Sequence, residues 1–196
     1  EAAKRTVAHC RWRTGVKGVA NTLYLPSRSL VLLSGAPGSG KSTFAERHFL
    51  GTQIVSSDRC RAMVCDDEEN MAVNSQTYSL LKHIVRLRLT LGRLTVIDST
   101  ALERKHRLTY VSLAKEYDFH PVAIVFDVPY ELCVLQNERR SRRVPPEIIR
   151  RYHNLLEKTK QSVWNEGFDR VFVLTPEQIR TVRISFGDKD EKGGDN

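Results

Sequence analysis

A glycine-rich turn after the first long hydrophobic run carries the residue types of a phosphate-binding site. Gly35, Gly40, Lys41 and Ser42 fit the spacing G-x-x-x-x-G-K-[ST]. Glycines let successive N–H groups point at one anion, the lysine faces the β- and γ-phosphates, and the serine offers a hydroxyl to Mg²⁺. The following helix directs its positive dipole end to the same point, so the pattern predicts binding of a nucleoside triphosphate with Mg²⁺. The predicted binding residues are Gly35, Gly38, Ser39, Gly40, Lys41, Ser42 and Thr43.

Two carboxylates are predicted to follow strands, and ligands lie at the carboxyl ends of strands in doubly wound sheets. Asp58 is predicted to close the strand in IVSSDRCR, and Asp98 the strand in LTVIDST. Asp58 is expected to orient an acceptor hydroxyl and accept its proton, and Arg61, three residues later, to bind an anion on the acceptor. Asp98 is expected to hold Mg²⁺ directly or through water. Helix capping is the alternative for both carboxylates, with Arg61 then a surface neighbour of Asp58.

Four arginines lie within the segment NERRSRR at 137–143. Enzymes of phosphoryl transfer close arginine-bearing lids over the nucleotide, and an arginine at the developing charge can raise the rate by about 10³–10⁵. Arg140 and Arg143, spaced one helical turn apart, are predicted to face inward on such a lid. Both are predicted to bind the nucleotide, and Arg140 also to act in catalysis. A solvated basic turn is the alternative.

Five continuous hydrophobic runs indicate the sheet that must position these residues. They are typical of parallel strands buried on both faces, because they do not alternate with polar residues. Helical segments separate most of them, with apolar residues at helical spacing over 75–91 and 147–165. The chain is therefore predicted to be an α/β protein of three layers around a central, mostly parallel five-stranded sheet. The predicted strands span 30–33, 53–55, 94–97, 122–126 and 171–174.

Shorter patterns predict local boundaries. TALE at 100–103 is predicted to be a capping box with Thr100 as N-cap. VPPE at 144–147 is predicted to end one helix and begin another, and TLYLP at 22–26 can add a short strand. The chain is thus divided into a basic extension over 1–21, one domain over 22–186, and a polar tail over 187–196 that its composition predicts to be disordered.

Charge and composition narrow the classes of function. The net charge is +8 at pH 7, but residues 1–28 hold six basic residues against Glu1 alone. An arm that binds nucleic-acid phosphates and a merely solvated arm both fit this distribution. No apolar stretch approaches the length of a membrane span and no signal peptide is visible, so a cytoplasmic location without membrane contact is expected. The four cysteines show no metal-ligand spacing and are expected to be reduced thiols.

In their order along the chain, the motifs resemble the kinase domain of bacterial polynucleotide kinase-phosphatase. They are GAPGSGKSTFAERHF, SSDRCR, DDEEN, GRLTVIDST, PVAIVFDVP and RRSRRVP, and the resemblance covers residues 22–180. It implies a P-loop kinase fold with an arginine-rich lid, transfer of the ATP γ-phosphate to the 5′-hydroxyl of RNA or DNA in repair, and repair partner domains or proteins. It would make Lys41 and Ser42 ligands of phosphate and metal, Asp58 the general base, Arg61 the binder of an acceptor phosphate and Arg140 a lid clamp.

Two positions depart from the family pattern. The family carries a further lid arginine four residues before Arg140, where this chain has Gln136, and Arg139 or Arg143 can substitute. The family reads Asp-Ala-Thr-Asn where this chain reads DSTA at 98–101. Because the family's phosphatase domain would begin where this chain ends, no 3′-phosphatase or ligase activity is expected of it.

Two other functions compete with that of a polynucleotide kinase. One is a P-loop kinase of a small alcohol, such as a sugar acid, a nucleoside or a nucleotide-sugar, because a fold does not specify the acceptor. The other is an ATP-binding regulatory module without efficient transfer, which the departures at Gln136 and Ala101 allow.

Overall fold

The computed structural model describes residues 22–140 and 143–187. The predictions for the extension over 1–21 and for the tail beyond Gly187 lie outside the described residues. The strands are β1 (Thr22–Leu25), β2 (Ser29–Ser34), β3 (Ile54–Ser56), β4 (Thr95–Asp98), β5 (His120–Phe126), β6 (Arg170–Leu174) and β7 (Arg183–Phe186). The helices are α1 (Lys41–His48), α2 (Ser57–Cys65), α3 (Asn74–Thr90), α4 (Arg104–Glu116), α5 (Tyr130–Glu138), α6 (Pro146–Ser162) and α7 (Pro176–Thr181).

Five strands form a central parallel sheet in the order β3-β4-β2-β5-β6. Strand β2 lies in the middle, with Leu33 level with Asp98 on β4 and with Ile124 on β5. The predicted sheet is therefore confirmed, and each of its five strands lies within two residues of the predicted bounds. All carboxyl ends of a parallel sheet share one edge, and ligands bind at that edge.

Helices cover both faces of this sheet, as the packing of β2 demonstrates. Val31 and Leu33 belong to a hydrophobic cluster with Phe44 of α1. Leu30 and Leu32, which alternate with them, belong to a second cluster that includes residues of α3 and α4. Because successive side chains of a strand point to opposite faces, the two clusters lie on opposite sides of the sheet. The domain therefore has the three layers that the sequence predicts.

The first and last strands pair with each other outside the central sheet. The predicted short strand at 22–26 is present as β1, and it pairs in parallel with β7. Thr22 is level with Arg183, and Leu25 with Phe186. Strand β7 is not predicted from the sequence, because its four residues show no continuous apolar run.

Two predicted helix boundaries need correction. The capping box with Thr100 as N-cap is wrong, because α4 begins only at Arg104 and its N-cap is Glu103. Ala101 has a left-handed φ of 43°, which no α-helix accommodates, and this turn delays the helix. VPPE does begin α6, with Pro146 as the first helical residue, but α5 already ends at Glu138.

A buried ion pair joins α4 to the end of α6 and to the loop after β4. The Arg107 side chain is 1% exposed and donates to the Glu166 carboxylate from Nε and Nη2, both at 2.6 Å. Its Nη1 donates to the Thr159 hydroxyl at 3.0 Å and to the Ala101 carbonyl oxygen at 3.2 Å. The same guanidinium therefore anchors two helical segments and the turn at Ala101.

Candidate active site

The phosphate-binding loop connects the carboxyl end of β2 to α1. Gly40 is the N-cap of α1 with a φ of 87°, and Gly38 has a φ of 80°. A Cβ atom at Gly38 would lie 2.3 Å from the carbonyl oxygen of Cys133 on α5, so the loop packs directly against the backbone of that helix. Both glycines are required here because L side chains disfavour the left-handed region.

The remaining predicted loop residues lie around the same turn. A Cβ atom at Gly35 would lie 2.8 Å from Ser39 Oγ and 2.9 Å from Phe126 Cβ. The backbone of Gly35 therefore also packs too closely against its neighbours to leave room for a side chain. The Gly35 amide donates to the Thr100 carbonyl oxygen at 3.1 Å, which ties the loop to the segment after β4. Thr43, in the first turn of α1, is exposed.

Lys41 is held inside the loop. Its Nζ donates to the carbonyl oxygens of Gly35 and Ala36, both at 2.8 Å, and to Ser39 Oγ at 3.3 Å. Burial lowers the pKa of Lys41 to about 8, although the negative charge of Asp98 opposes this shift. Triphosphate oxygens would replace neutral acceptors by charged ones, which form shorter and stronger hydrogen bonds with an ammonium group.

Ser42 and Asp98 come together beside the loop. Asp98 is the last residue of β4, as predicted, and its carboxylate accepts a hydrogen bond from the Ser42 side chain. Burial raises the pKa of Asp98, while the charge of Lys41 and the hydrogen bond from Ser42 oppose the rise. Mg²⁺ is commonly held by one or two protein oxygens together with phosphate oxygens, and this pair can supply them. Within 22–140 and 143–187, no three His, Cys, Asp or Glu side chains form a metal-binding group.

Asp58 and Arg61 lie in α2, and the prediction that Asp58 closes a strand is wrong. Strand β3 ends at Ser56, whose hydroxyl accepts a hydrogen bond from the Arg59 amide and so caps the helix. The N-cap alternative for Asp58 is also wrong, because Ser56 has that role. Asp58 instead lies in the first turn of α2, where a negative charge interacts favourably with the helix dipole.

Arg61 is buried and forms an ion pair with the more exposed Asp58. Its Nη1 donates to Asp58 Oδ1 at 2.8 Å, and the two side chains are 3% and 51% exposed. Nη1 also donates to the Glu68 carbonyl oxygen at 2.9 Å and Nη2 to Asn74 Oδ1 at 3.1 Å, while Nε is buried without a hydrogen-bond partner. Arg61 is therefore not a surface neighbour of Asp58, and the turn at Glu68 covers its guanidinium.

Electrostatic effects connect three predicted residues to Lys41. Besides burial and Asp98, the positive charge of Arg140 and the negative charge of Asp58 act on the pKa of Lys41. The charges of Asp58 and Arg140 act in the same way on Asp98. The structure therefore brings Asp58, Asp98 and Arg140 within electrostatic reach of Lys41, near the carboxyl edge of the sheet.

The arginine segment does not continue helix α5. Because α5 ends at Glu138, Arg140 and Arg143 do not occupy successive turns of one helix, as their spacing had suggested. Both are exposed, and Ser141 and Arg142 lie outside the described residues. The buried Asn137 side chain donates to the Val144 carbonyl oxygen and accepts from the Val144 amide, both at 2.9 Å. These two hydrogen bonds hold together the two ends of the arginine segment.

Gln136, the residue that replaces a family arginine, faces the phosphate loop from α5. Its Oε1 lies 3.9 Å from the position of a Cβ atom at Gly40. At Ala101, the other departure, the contact is made by the backbone. The Ala101 carbonyl oxygen accepts a hydrogen bond from Ser34 Oγ at 3.1 Å. Both departures therefore lie next to the loop.

Three residues near the site are absent from the sequence predictions: Arg107, Asn137 and Tyr78. The burial of Arg107 could have been predicted from the sequence, because Arg107 shares a helix face with Tyr110 and Val111. A charged residue among such apolar positions needs a buried partner. Asn137 had no such signal, because its partner is the backbone of Val144. Tyr78 lies among the apolar residues of α3, where its ring resembles an ordinary core position.

Three further features complete the description of the surface and the thiols. An open depression on α3 is lined by Ser75, Gln76, Ser79, Leu80 and His83, which all belong to that helix. Cys60, Cys65 and Cys133 are free thiols. In the described part of the chain, no helix is both long and apolar enough to cross a membrane.

Comparison with known proteins finds kinases of several acceptors. A protein of Acanthamoeba polyphaga mimivirus described as a bifunctional polynucleotide phosphatase/kinase is 28% identical over 156 residues, which are 76% of this chain and 33% of that protein. L-seryl-tRNA(Sec) kinase of Methanococcus maripaludis is 27% identical over 141 residues, 66% of this chain and 51% of that protein. A chain in the solved structure of the Pnkp1/Rnl/Hen1 RNA repair complex is 26% identical, with a TM-score of 0.61, and the match covers 70% of this chain and 47% of that one.

The chain thus spans from a third to about half of the length of these proteins. Residues 30–159 match the family described as AAA domain. This range covers well over half of the chain and contains the phosphate loop, Asp58, Asp98 and Arg140. The resemblance to a polynucleotide kinase domain is confirmed at the level of the family and the fold. The chain therefore belongs to the AAA domain family and has the fold of its P-loop kinases.

Proposed function

We propose that the protein transfers the γ-phosphate of ATP, with Mg²⁺, to the 5′-hydroxyl of an RNA or DNA end. The observation that carries this proposal is the position of Asp58, an exposed carboxylate that a buried arginine anchors and whose charge acts on Lys41. Phosphoryl transfer needs an acceptor hydroxyl in line with the γ-phosphorus and a group that orients it and accepts its proton. Asp58 is suited to that role because its charge reaches Lys41 and half of its side chain is exposed.

The other side chains would complete the reaction around the nucleotide. The loop amides and Lys41 would hold the β- and γ-phosphates, and Ser42 with Asp98 would hold Mg²⁺. Arg140, whose charge reaches Lys41, would neutralise charge on the transferred group, with Arg143 as a further contact to the nucleotide. When bound, Mg²⁺ would supply charge neutralisation at the phosphates. Asp58 would receive the proton of the acceptor hydroxyl.

Arg61 acts on this reaction mainly through Asp58. Its hydrogen bonds to Asp58, the Glu68 carbonyl and Asn74 fix the position of the carboxylate before an acceptor arrives. To bind an acceptor phosphate, as the resemblance implies, the guanidinium must first be uncovered by movement of the turn at Glu68. We therefore assign Arg61 as a positioning residue, with phosphate binding as a second role that requires this movement.

The acceptor is the part of the proposal that needs the most direct test. The mimivirus relative is described as a polynucleotide phosphatase/kinase, which supports a polynucleotide acceptor. The similar chain in the RNA repair complex supports a role in end repair with partner proteins. L-seryl-tRNA(Sec) kinase has a different acceptor at nearly the same identity. A small alcohol is therefore the second candidate, and a regulatory ATP-binding module the third.

The test is transfer of labelled γ-phosphate from ATP with Mg²⁺ to 5′-hydroxyl RNA and DNA oligonucleotides and, separately, to sugar acids, nucleosides and nucleotide-sugars. We expect a labelled 5′ end on at least one oligonucleotide, and no label with a Lys41→Met variant, which removes the charge at the triphosphate. Labelling of a metabolite alone would overturn the polynucleotide assignment. Binding of ATP without transfer to any acceptor would instead support a regulatory module.

A further inference from the structure

We propose that the stacked rings of Tyr78 and His106 form a platform for a nucleobase of the acceptor strand, next to the reacting 5′ end. This inference rests on the proposed polynucleotide kinase function and specifies how the acceptor is held. It assigns a role to two residues outside the motifs of the phosphate loop, the carboxylates and the arginine segment.

The two rings already form a stack that a base can extend. Their centroids are 5.6 Å apart and their planes differ by 27°. Tyr78 lies on α3 and His106 in the first turn of α4, and both side chains are partly exposed. Aromatic side chains hold bases of single strands by stacking, which tolerates any sequence because every base has a π-face.

The platform lies close to Arg61 and Asp58. Tyr78 is one helical turn after Asn74, whose side chain accepts a hydrogen bond from Arg61. Burial raises the pKa of Tyr78, and the charges of Arg61 and Asp58 also act on its hydroxyl group. The rings are therefore close to the carboxylate that would face the 5′-hydroxyl.

The charge around His106 also suits a polynucleotide. Burial lowers the pKa of His106, the charge of Glu103 opposes this shift, and the charges of Lys105, Lys82 and Arg107 add to it, which favours the neutral ring at pH 7. A neutral ring stacks on a base, while lysines attract the phosphates that flank it. The Lys105 ammonium group lies 2.9 Å from the Glu103 carboxylate, which partly neutralises it. Of these two lysines, Lys82 is therefore the better candidate to attract a flanking phosphate.

The experiment compares two acceptors that differ only in their bases. One is a short 5′-hydroxyl oligonucleotide, and the other is the same strand with abasic sugars at its first two positions. For the unaltered protein we expect KM to be about tenfold or more lower for the intact strand, since stacking contributes about five- to hundredfold per base. A His106→Ala variant is expected to raise KM for the intact strand to that of the abasic strand, with kcat unchanged.

Conservative and distant variants separate stacking from folding. His106→Phe keeps a ring and is expected to restore the low KM, and Tyr78→Phe is expected to retain it. Tyr24→Ala removes a partly exposed ring on β1 and is expected to leave both KM values unchanged. If the unaltered protein phosphorylates both strands with equal KM, or if His106→Ala raises both KM values equally, the platform is refuted. Failure to phosphorylate either strand would instead refute the proposed function.

Discussion

Arg61 and Asp58 form a hydrogen-bonded pair, 2.8 Å apart, in which the cation is buried and the carboxylate is exposed. A surface pair of two mobile side chains would contribute little, because both would lose conformational freedom to form it. Here Arg61 is already fixed by Glu68 and Asn74, so Asp58 is held in one orientation with less loss of entropy. A kinase benefits from such preorganisation because transfer depends on alignment of the acceptor.

Replacing Asp58 by asparagine should slow transfer of the γ-phosphate by about 10²–10⁴-fold, because the amide cannot accept the proton of the acceptor hydroxyl. The affinity for ATP should change little, since Asp58 lies outside the loop that holds the triphosphate. Single-turnover rates and ATP binding, measured on the same samples, check both parts. Glu177→Gln is the matched control, because it also removes a carboxylate from the first turn of a helix. An unchanged transfer rate in Asp58→Asn would contradict the assigned role.

Binding of ATP should weaken above about pH 8. Burial lowers the pKa of Lys41 to about 8, while Asp98, Cys133, Arg140 and Asp58 adjust it through their charges. Because the triphosphate requires the protonated lysine, the dissociation constant should rise about tenfold for each pH unit above that pKa. Calorimetric titration from pH 6.5 to 9.5 checks this, and Lys41→Arg, which stays charged, should give a flat profile. A flat profile for the unaltered protein would be inconsistent with the buried ammonium.

The same group affects stability in the opposite direction. The pKa of Lys41 in the folded protein is lowered from 10.5 to about 8, so between these values the unfolded chain binds the proton and the folded chain does not. The free energy of unfolding from this group therefore rises with pH across that window and is smallest below pH 8. Urea unfolding of Lys41→Met, which does not titrate, should lack this rise.

Gly38→Ala should abolish ATP binding and destabilise the fold. Its Cβ atom would lie 2.3 Å from the backbone carbonyl oxygen of Cys133, and its φ of 80° disfavours any side chain by about 1–2 kcal/mol. Gly51→Ala is the control, because a Cβ atom there meets no atom within 4 Å. Urea unfolding and ATP titration of both variants test the prediction, which fails if the two behave alike.

Gln136→Arg should increase the rate of transfer. The Gln136 side chain faces the loop at Gly40, and an arginine at this place would bring a positive charge to the transferred phosphate. Arginines at the developing charge contribute about 10³–10⁵, so even a partly aligned one should raise kcat by about tenfold. Gln136→Met, of similar length but uncharged, is the control. A lower kcat for Gln136→Arg would indicate that the amide itself has a role.

Glu166→Gln should lower the free energy of unfolding by about 3–5 kcal/mol, because it leaves the buried Arg107 without a counter-charge. Glu103→Gln breaks the exposed pair with Lys105 and should cost no more than about 1 kcal/mol. Chemical denaturation of both variants measures the difference. Equal losses would mean that the two pairs contribute alike despite their different burial.

The central sheet could be predicted from the sequence because its strands are buried on both faces and appear as continuous apolar runs. Asp98 was placed correctly for the same reason, since it ends such a run. The prediction that Asp58 closes β3 was wrong because the strand ends two residues earlier, at Ser56. The Ser56 side chain caps α2 and so begins the helix there. Strand β7 was missed because its residues, RISF, form no continuous apolar run.

The details of the site depend on contacts that no local pattern encodes. The capping box at Thr100 failed because Ala101 adopts a left-handed conformation, in which its carbonyl oxygen accepts hydrogen bonds from Arg107 and Ser34. Likewise, the burial of Arg61 depends on Asn74, thirteen positions away on α3. Spacing identified the groups of the site, while tertiary contacts determine which of them a ligand can reach.

The parallel pairing of β1 with β7 makes this domain a candidate for circular permutation. A new peptide from Phe186 back to Thr22 would need to run beside one strand, about 13 Å, which about six residues can span. New ends could open at the exposed turn over 91–93, which precedes β4 and so lies at the amino-terminal edge of the sheet. A tag or fusion partner attached there would lie at the edge of the sheet opposite the phosphate loop.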